Sequence, residues 1–175
     1  KVALGASTTG CFNVAIGASA LGAADTTGIN NVALGSNAMD ALTTGIGNVA
    51  MGLNALGAST TGCYNVAIGH VAMGAAVVGG SSEQGSFNVA IGSQAMDALT
   101  TGKFNVALGE NAHTKLTTGC FNIALGQCAG CGVTTTNHTI NIGCGADQTT
   151  ASVACILATC LMVAQFTATS DCRSK

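Results

Sequence analysis

From Asn65 the chain runs polar, large, small, large, glycine: Asn65-Val66-Ala67-Ile68-Gly69. The alternation of large and small side chains has the two-residue period of a strand. It predicts Val66 and Ile68 on one face, with Ala67 and Gly69 on a face that something approaches closely. Near-copies run from Asn13 to Gly17, Asn31 to Gly35, Asn48 to Gly52, Asn88 to Gly92, Asn105 to Gly109 and Asn122 to Gly126. Val2 to Gly5 and Thr139 to Gly143 read as degenerate copies. The closing glycines fall at 5, 17, 35, 52, 69, 92, 109, 126 and 143, so the intervals are 12, 18, 17, 17, 23, 17, 17 and 17. A fixed period of 17 identifies an internal repeat.

The period decides the architecture. A strand–helix–strand crossover needs about 30 residues, and helical hairpin repeats need about 33 or more. A unit of 17 fits one coil of an all-β parallel β-solenoid, a β-roll or β-helix of about eight coils. Each coil is expected to hold two short strands and two turns, and each chain to coil on itself. Thr60-Thr61-Gly62 and its copies supply a turn, with the glycine free to take a positive φ. Stacked coils turn each repeat position into a ladder. The structural asparagine ladder expected from the pattern is Asn13, Asn31, Asn48, Asn65, Asn88, Asn105 and Asn122, with side-chain amides bonding above and below. The interval of 23 is 17 with six residues extruded as a loop within 75–84, and the interval of 12 predicts a shortened first turn. Three segments follow: a repeat shaft over 1–147, a strand-rich trimerising segment over 148–169, and a distinct short segment over 170–175.

Composition sharpens this picture. Charged residues are 7% of the chain, aromatics 3%, and there is no proline, yet 48% of residues are apolar. Disordered chains are charged and poor in apolar residues, so a folded chain is expected. Its surface must be built from Thr, Asn, Ser and backbone. A core of Ala and Gly is thin, which predicts burial of apolar surface against copies of itself. The five basic residues are scattered and the net charge is -2, which argues against a nucleic-acid partner. Ala151 to Ala168 is apolar enough to raise a membrane span, but polar interruptions and the lack of upstream anchors favour strands instead. The chain opens inside a repeat, so a start further upstream is expected.

The units resemble the repeats of phage and viral tail fibres and of related bacterial surface proteins, in which Asn-x-Ala-Ile-Gly-x-x-Ala-Leu and Thr-Thr-Gly recur at this spacing. They are also similar to the shorter repeats of trimeric autotransporter adhesin heads. The resemblance covers residues 2 to 143 and implies an elongated, β-helical homotrimer on the outside of a virion or cell. Its implied partners are further copies of itself, other virion or tail proteins, and a glycan or protein receptor on the host surface. Separately, Ser170-Asp171-Cys172-Arg173-Ser174-Lys175 resembles the Ser-Asp-x-Arg-x-Lys opening of the intramolecular chaperone domain of phage tail spikes. That resemblance implies Ser170 as nucleophile, Lys175 as its activating base and Thr169-Ser170 as the bond cut once during maturation. The resemblance covers only the opening of that domain, and the body of the chaperone is not among these residues.

Other candidate chemistry is sparse. Cys11, Cys63 and Cys120 share one repeat position and read as half-buried ladder residues or as partners across a trimer axis. Cys128, Cys131, His138 and Cys144 lack a recognised zinc spacing. Cys128 and Cys144 lie 16 apart against a period of 17, which suggests a disulfide or plain packing. His70 and His113 are expected on exposed turns or faces, and Asp40 and Asp97 as solvated charges. Asn137-His138-Thr139 is a glycosylation sequon. No cofactor or metal is expected, and apart from that single self-cleavage no enzymatic activity.

The expectation is therefore a structural fibre shaft of a phage or virus that presents or reaches a host-binding tip. The alternatives are a bacterial trimeric surface adhesin at the cell surface and, through the paired threonines, an ice-binding solenoid.

Overall fold

A computed structural model describes residues 2–5, 9–22, 26–75 and 84–147. The segments 148–169 and 170–175, and with them Thr169, Ser170 and Lys175, lie outside the described residues, as does most of the 75–84 loop.

The described chain is an all-β parallel solenoid without helix. Eight strands follow one another: β1 (Val14–Ile16), β2 (Val32–Leu34), β3 (Val49–Met51), β4 (Val66–Ile68), β5 (Val89–Ile91), β6 (Val106–Leu108), β7 (Ile123–Leu125) and β8 (Ile140–Ile142). They form one sheet in chain order, every neighbour parallel. Register is one repeat per step: Val66 pairs with Val89 across the six-residue insertion as Val49 pairs with Val66 without it. From β1 to β8 the chain makes seven turns. At a strand spacing of about 4.8 Å the sheet is about 34 Å long.

Each coil contributes one strand, where two were expected. The rest of the coil is held by residues in left-handed backbone. In the coil after β5 these are Gln94 at φ 56° and Met96 at φ 51°, followed by Phe104 at φ 57° before the next strand. Three such kinks per coil turn the chain without a second run of extended residues, and the carbonyls and amides they release bond to neighbouring coils. Met96 N–H donates to Ala112 O at 3.0 Å and Gln94 N–H to His70 O at 3.0 Å. Left-handed backbone costs an ordinary side chain about 1 kcal/mol or more, so these residues hold it only because the stack over-determines them.

The core is as thin as the composition implies. Ala33, Ala50, Ala67, Ala90, Ala107 and Ala124, the middle strand residues, are fully buried. A second alanine ladder (Ala38, Ala55, Ala72, Ala95, Ala112) and two ladders of larger groups (Leu21, Met39, Leu56, Met73, Met96; and Leu42, Leu99, Leu116, Val133) pack with it.

Two expectations about glycine and register are corrected. The glycine of Thr-Thr-Gly does not take a positive φ; Gly45, Gly102 and Gly119 are absent from that region. They are small for a different reason. A Cβ on Gly45 would collide with Gly62 O and lie 2.6 Å from Leu42 Cδ1. The positive φ belongs to the strand-closing glycines, at 124° to 138° from Gly17 to Gly126. Further, Val2 to Gly5 is not a shortened strand copy. Leu4 N–H donates to Ala20 O at 2.9 Å, and Leu4 (φ 53°) repeats Leu21 (φ 48°). These residues match the Ala20-Leu21-Gly22 turn 17 residues later, so the period is intact and the first turn is not shortened.

Candidate interaction surface

The asparagine ladder lies inside the coil and organises what is displayed outside it. Asn31, Asn48, Asn65, Asn88, Asn105 and Asn122 are fully buried, and Asn13 at the open end is half-buried. Each Oδ1 accepts the backbone N–H of the next asparagine, as from Asn65 to Asn48 at 2.9 Å and from Asn105 to Asn88 at 3.0 Å. Each Nδ2 donates to a carbonyl at the turn, as Asn48 to Gly62 O at 2.7 Å and Asn105 to Gly119 O at 2.8 Å. The residue before a strand thereby satisfies a buried amide and a buried carbonyl that no backbone group reaches. At the last coil Thr139 takes the position, and both its N–H and its hydroxyl donate to Asn122 Oδ1 at 2.8 Å.

With Asn and Ala pointing inward, the other two residues of each strand point out. Ile91, Leu108 and Ile123 are 36–39% exposed although each is flanked by strands on both sides. At the ends of the sheet among the described residues, Ile16 and Ile142 rise to 62% and 66%. Two apolar side chains per coil, over eight coils, make a continuous apolar ribbon along the axis. Single exposed leucines are ordinary on a protein surface; a contiguous apolar strip marks an interaction site.

A second outward ladder adjoins it, two residues upstream in every coil. Tyr64, Phe87, Phe104, Phe121 and His138 stack in a row, with ring centroids 5.0–5.2 Å apart and planes within 9–17° of parallel. The repeat distance of a parallel sheet is close to the spacing of offset stacked rings, so one aromatic per coil builds the column without adjustment. The pattern analysis missed this ladder. Its signal was present as an aromatic before Asn65, Asn88, Asn105 and Asn122, but Asn30 and Gly47 interrupt it and separate Phe12 from the column.

The threonine pairs line another edge. In four pairs the first hydroxyl is committed to the next coil: Thr26 to Leu42 O at 3.0 Å, Thr43 to Thr60 O at 2.9 Å, and Thr100 to Thr117 O and Thr117 to Thr134 O, both at 3.0 Å. The shared cysteine position is likewise internal bonding, since Cys63 Sγ accepts Ile46 N–H and Cys120 Sγ accepts Lys103 N–H, both at 3.4 Å.

His70 is exposed, but His113 is not: it is fully buried, contrary to expectation. Its position continues the Leu21–Met39–Leu56–Met73–Met96 ladder, so register puts the imidazole in the core. Neither ring nitrogen has a hydrogen-bond partner, and burial lowers its pKa from 6.5 to about 4. In the following coil the ladder position is Gly130, where a Cβ would collide with the His113 ring. Glycine is therefore what makes room for the imidazole. Asn141 replaces the core alanine of β8 and is also buried.

Six cysteines among the described residues are free thiols. Cys144 stacks on Gln127, its Sγ 3.9 Å from Gln127 Oε1, and the hydrogen-bond partner of the Cys128 thiol is Cys131. That bond, reinforced by burial and by the charges of Cys131, Cys144 and Asp147, raises the Cys128 pKa. Among the described residues no three of His, Cys, Asp and Glu are grouped to hold a metal ion. No helix there is long and apolar enough to cross a membrane.

The fold and its displayed ladders define a β-solenoid repeat protein. The chain matches no protein-family model, no curated protein and no solved structure.

Proposed function

We propose that these coils are the shaft of an elongated homotrimeric fibre of a phage or virus, carrying or reaching a tip that binds a host-surface glycan or protein. The observation that carries this reading is the outward Val/Ile ribbon. The middle residue of each strand, alanine from β1 to β7 and asparagine in β8, points inward, and the larger Val, Ile, Leu or Met on either side of it points outward, at least partly exposed in every coil. Copies packed side by side along that ribbon bury it without ending the stack, and three straight ribbons meeting on a common axis form a closed assembly. Low surface charge favours the same arrangement, because few charges would need desolvation. The repeat resemblance supplies the phage or viral setting, and Ser170 and Lys175 remain the proposed self-cleavage pair by resemblance alone. A bacterial trimeric surface adhesin shares the ribbon and differs in what the chain is attached to.

The ice-binding alternative is disfavoured by the threonine geometry. The Thr43, Thr100 and Thr117 hydroxyls are bonded to the next coil's carbonyls, and Thr61 Oγ1 is buried, so these are not a free array for matching a lattice.

The test is the mass of the native particle by light scattering at micromolar concentration. The expected result is three times the 16.9 kDa chain mass. Ile91→Asp, which places a charge on the ribbon without touching the core, is expected to yield a folded monomer. A monomeric unsubstituted chain, or a trimer indifferent to Ile91→Asp, overturns the reading.

A further inference from the structure

The last complete turn among the described residues differs from those before it. In earlier coils the third residue of this turn is a large buried group, such as Leu56, Met73 or Met96, that fastens the turn to the core. Here that residue is Gly130, and the space is filled by the His113 ring from the previous coil. The turn has lost the large anchor at this position, and its burial rests on Ala129 and Val133. It is also the turn with two thiols, at its first and fourth positions, where the corresponding pairs are Asn54 and Gly57, Gln94 and Asp97, and Asn111 and Thr114.

Cys128 and Cys131 are placed to be joined. Cys128 at φ 55° and Gly130 at φ 62° bend the chain, and Cys131 N–H donates to Cys128 O at 3.3 Å. A turn closed between its first and fourth residues keeps their Cα atoms within about 7 Å, which overlaps the range that disulfides span. Both thiols are half-buried on the same turn, and both are free. Cys144 is engaged elsewhere, facing Gln127.

We propose that Cys128 and Cys131 are a dithiol modification site, oxidised by a low-molecular-weight disulfide such as glutathione disulfide to a covalent clip that replaces the missing large anchor. The Cys131 thiolate attacks one sulfur of glutathione disulfide, forming a mixed disulfide and releasing one glutathione thiolate, which takes up the Cys131 proton. The Cys128 thiolate then attacks the Cys131 sulfur, releasing the second glutathione with the Cys128 proton. Two protein thiols are oxidised and one glutathione disulfide is reduced to two thiols. The clip is independent of how many copies assemble or what the fibre binds.

The full chain, reduced and then equilibrated with glutathione disulfide, is digested and fragmented in the mass spectrometer. The expected product has lost two hydrogens between residues 128 and 131, with no bound glutathione there. Cys144→Ser is expected to keep the bond and Cys131→Ser to lose it; should the latter fail to fold, the fragment map of the unsubstituted chain decides alone. Amide exchange at Cys131 and Val133 is expected to slow on the order of tenfold on oxidation. A Cys128–Cys144 bond, or glutathione retained on either thiol of the pair, overturns the proposal. Peptide mapping keeps Cys120, Cys155, Cys160 and Cys172 out of the reading.

Discussion

Asn105 shows how much one side chain does in this fold. Its amide donates to Gly119 O and to Asn88 Oδ1, and its Oδ1 accepts Asn122 N–H at 2.9 Å. Asn105→Ala strands a buried carbonyl and a buried amide together. At about 1–3 kcal/mol for each unsatisfied group, a loss of roughly 2–6 kcal/mol is expected in urea unfolding. A loss below about 1 kcal/mol would mean that water replaces the amide. His113 makes the opposite case, a buried group that weakens the fold as pH falls. Its folded pKa, about 4, lies below the unfolded 6.5. Between those values the unfolded chain binds a proton that the folded chain does not, so stability declines as pH drops through that window and levels off below it. At most about 3 kcal/mol is at stake. His113→Met, which restores the ladder residue of Met96, is expected to flatten the stability profile from pH 6.5 to 4; an unchanged profile locates the titration elsewhere.

Within one coil, two kinds of glycine do two kinds of work, and the sequence motif does not separate them. Gly109 needs both a φ of 138° and the absence of a Cβ, which would sit 2.6 Å from Gly126 C. Gly143 needs only its φ of 114°, since nothing lies within 4 Å of where a Cβ would be. Gly143→Ala is therefore expected to cost about 1–3 kcal/mol of backbone strain, and Gly109→Ala that strain plus a backbone collision. Thermal melts of the two variants should show a markedly larger loss for Gly109→Ala; equal losses would mean that the coils part at little cost. The strand itself was legible from Val-Ala-Ile alternation. The remainder of the coil was not, because left-handed Asn54, Met73, Gln94 or Phe104 carries no compositional mark: these residues take φ above zero only once the neighbouring coil bonds their amides.

For the whole molecule, stability is a sum of similar coils and the interfaces between them, so the ends open first. Among the described residues, β1 and β8 each have one strand neighbour and their outer side chains are the most exposed of the sheet. Hydrogen exchange at Val14–Ile16 and Ile140–Ile142 is expected to be faster than at Val66–Ile68 and Val89–Ile91, by a factor that grows toward the ends. Uniform protection across all eight strands would point instead to a single cooperative unit. The apolar ribbon runs through the same strands, so assembly along it should raise protection in the middle coils most.

The seventeen-residue period, the strand in each copy, the loop of six extra residues and the existence of an asparagine ladder follow from the amino-acid order alone. Each is a local or periodic property, and stacking identical coils maps sequence position directly onto spatial position. What surrounds a residue in the neighbouring coil does not follow from its own copy of the motif. Only the stacked structure shows Leu4 matching Leu21, His113 in the core above Gly130, and Cys128 bonded to Cys131 while Cys144 faces Gln127. Those outcomes depend on register and on the space left by the coil above or below, and neither exists until the chain has wound onto itself.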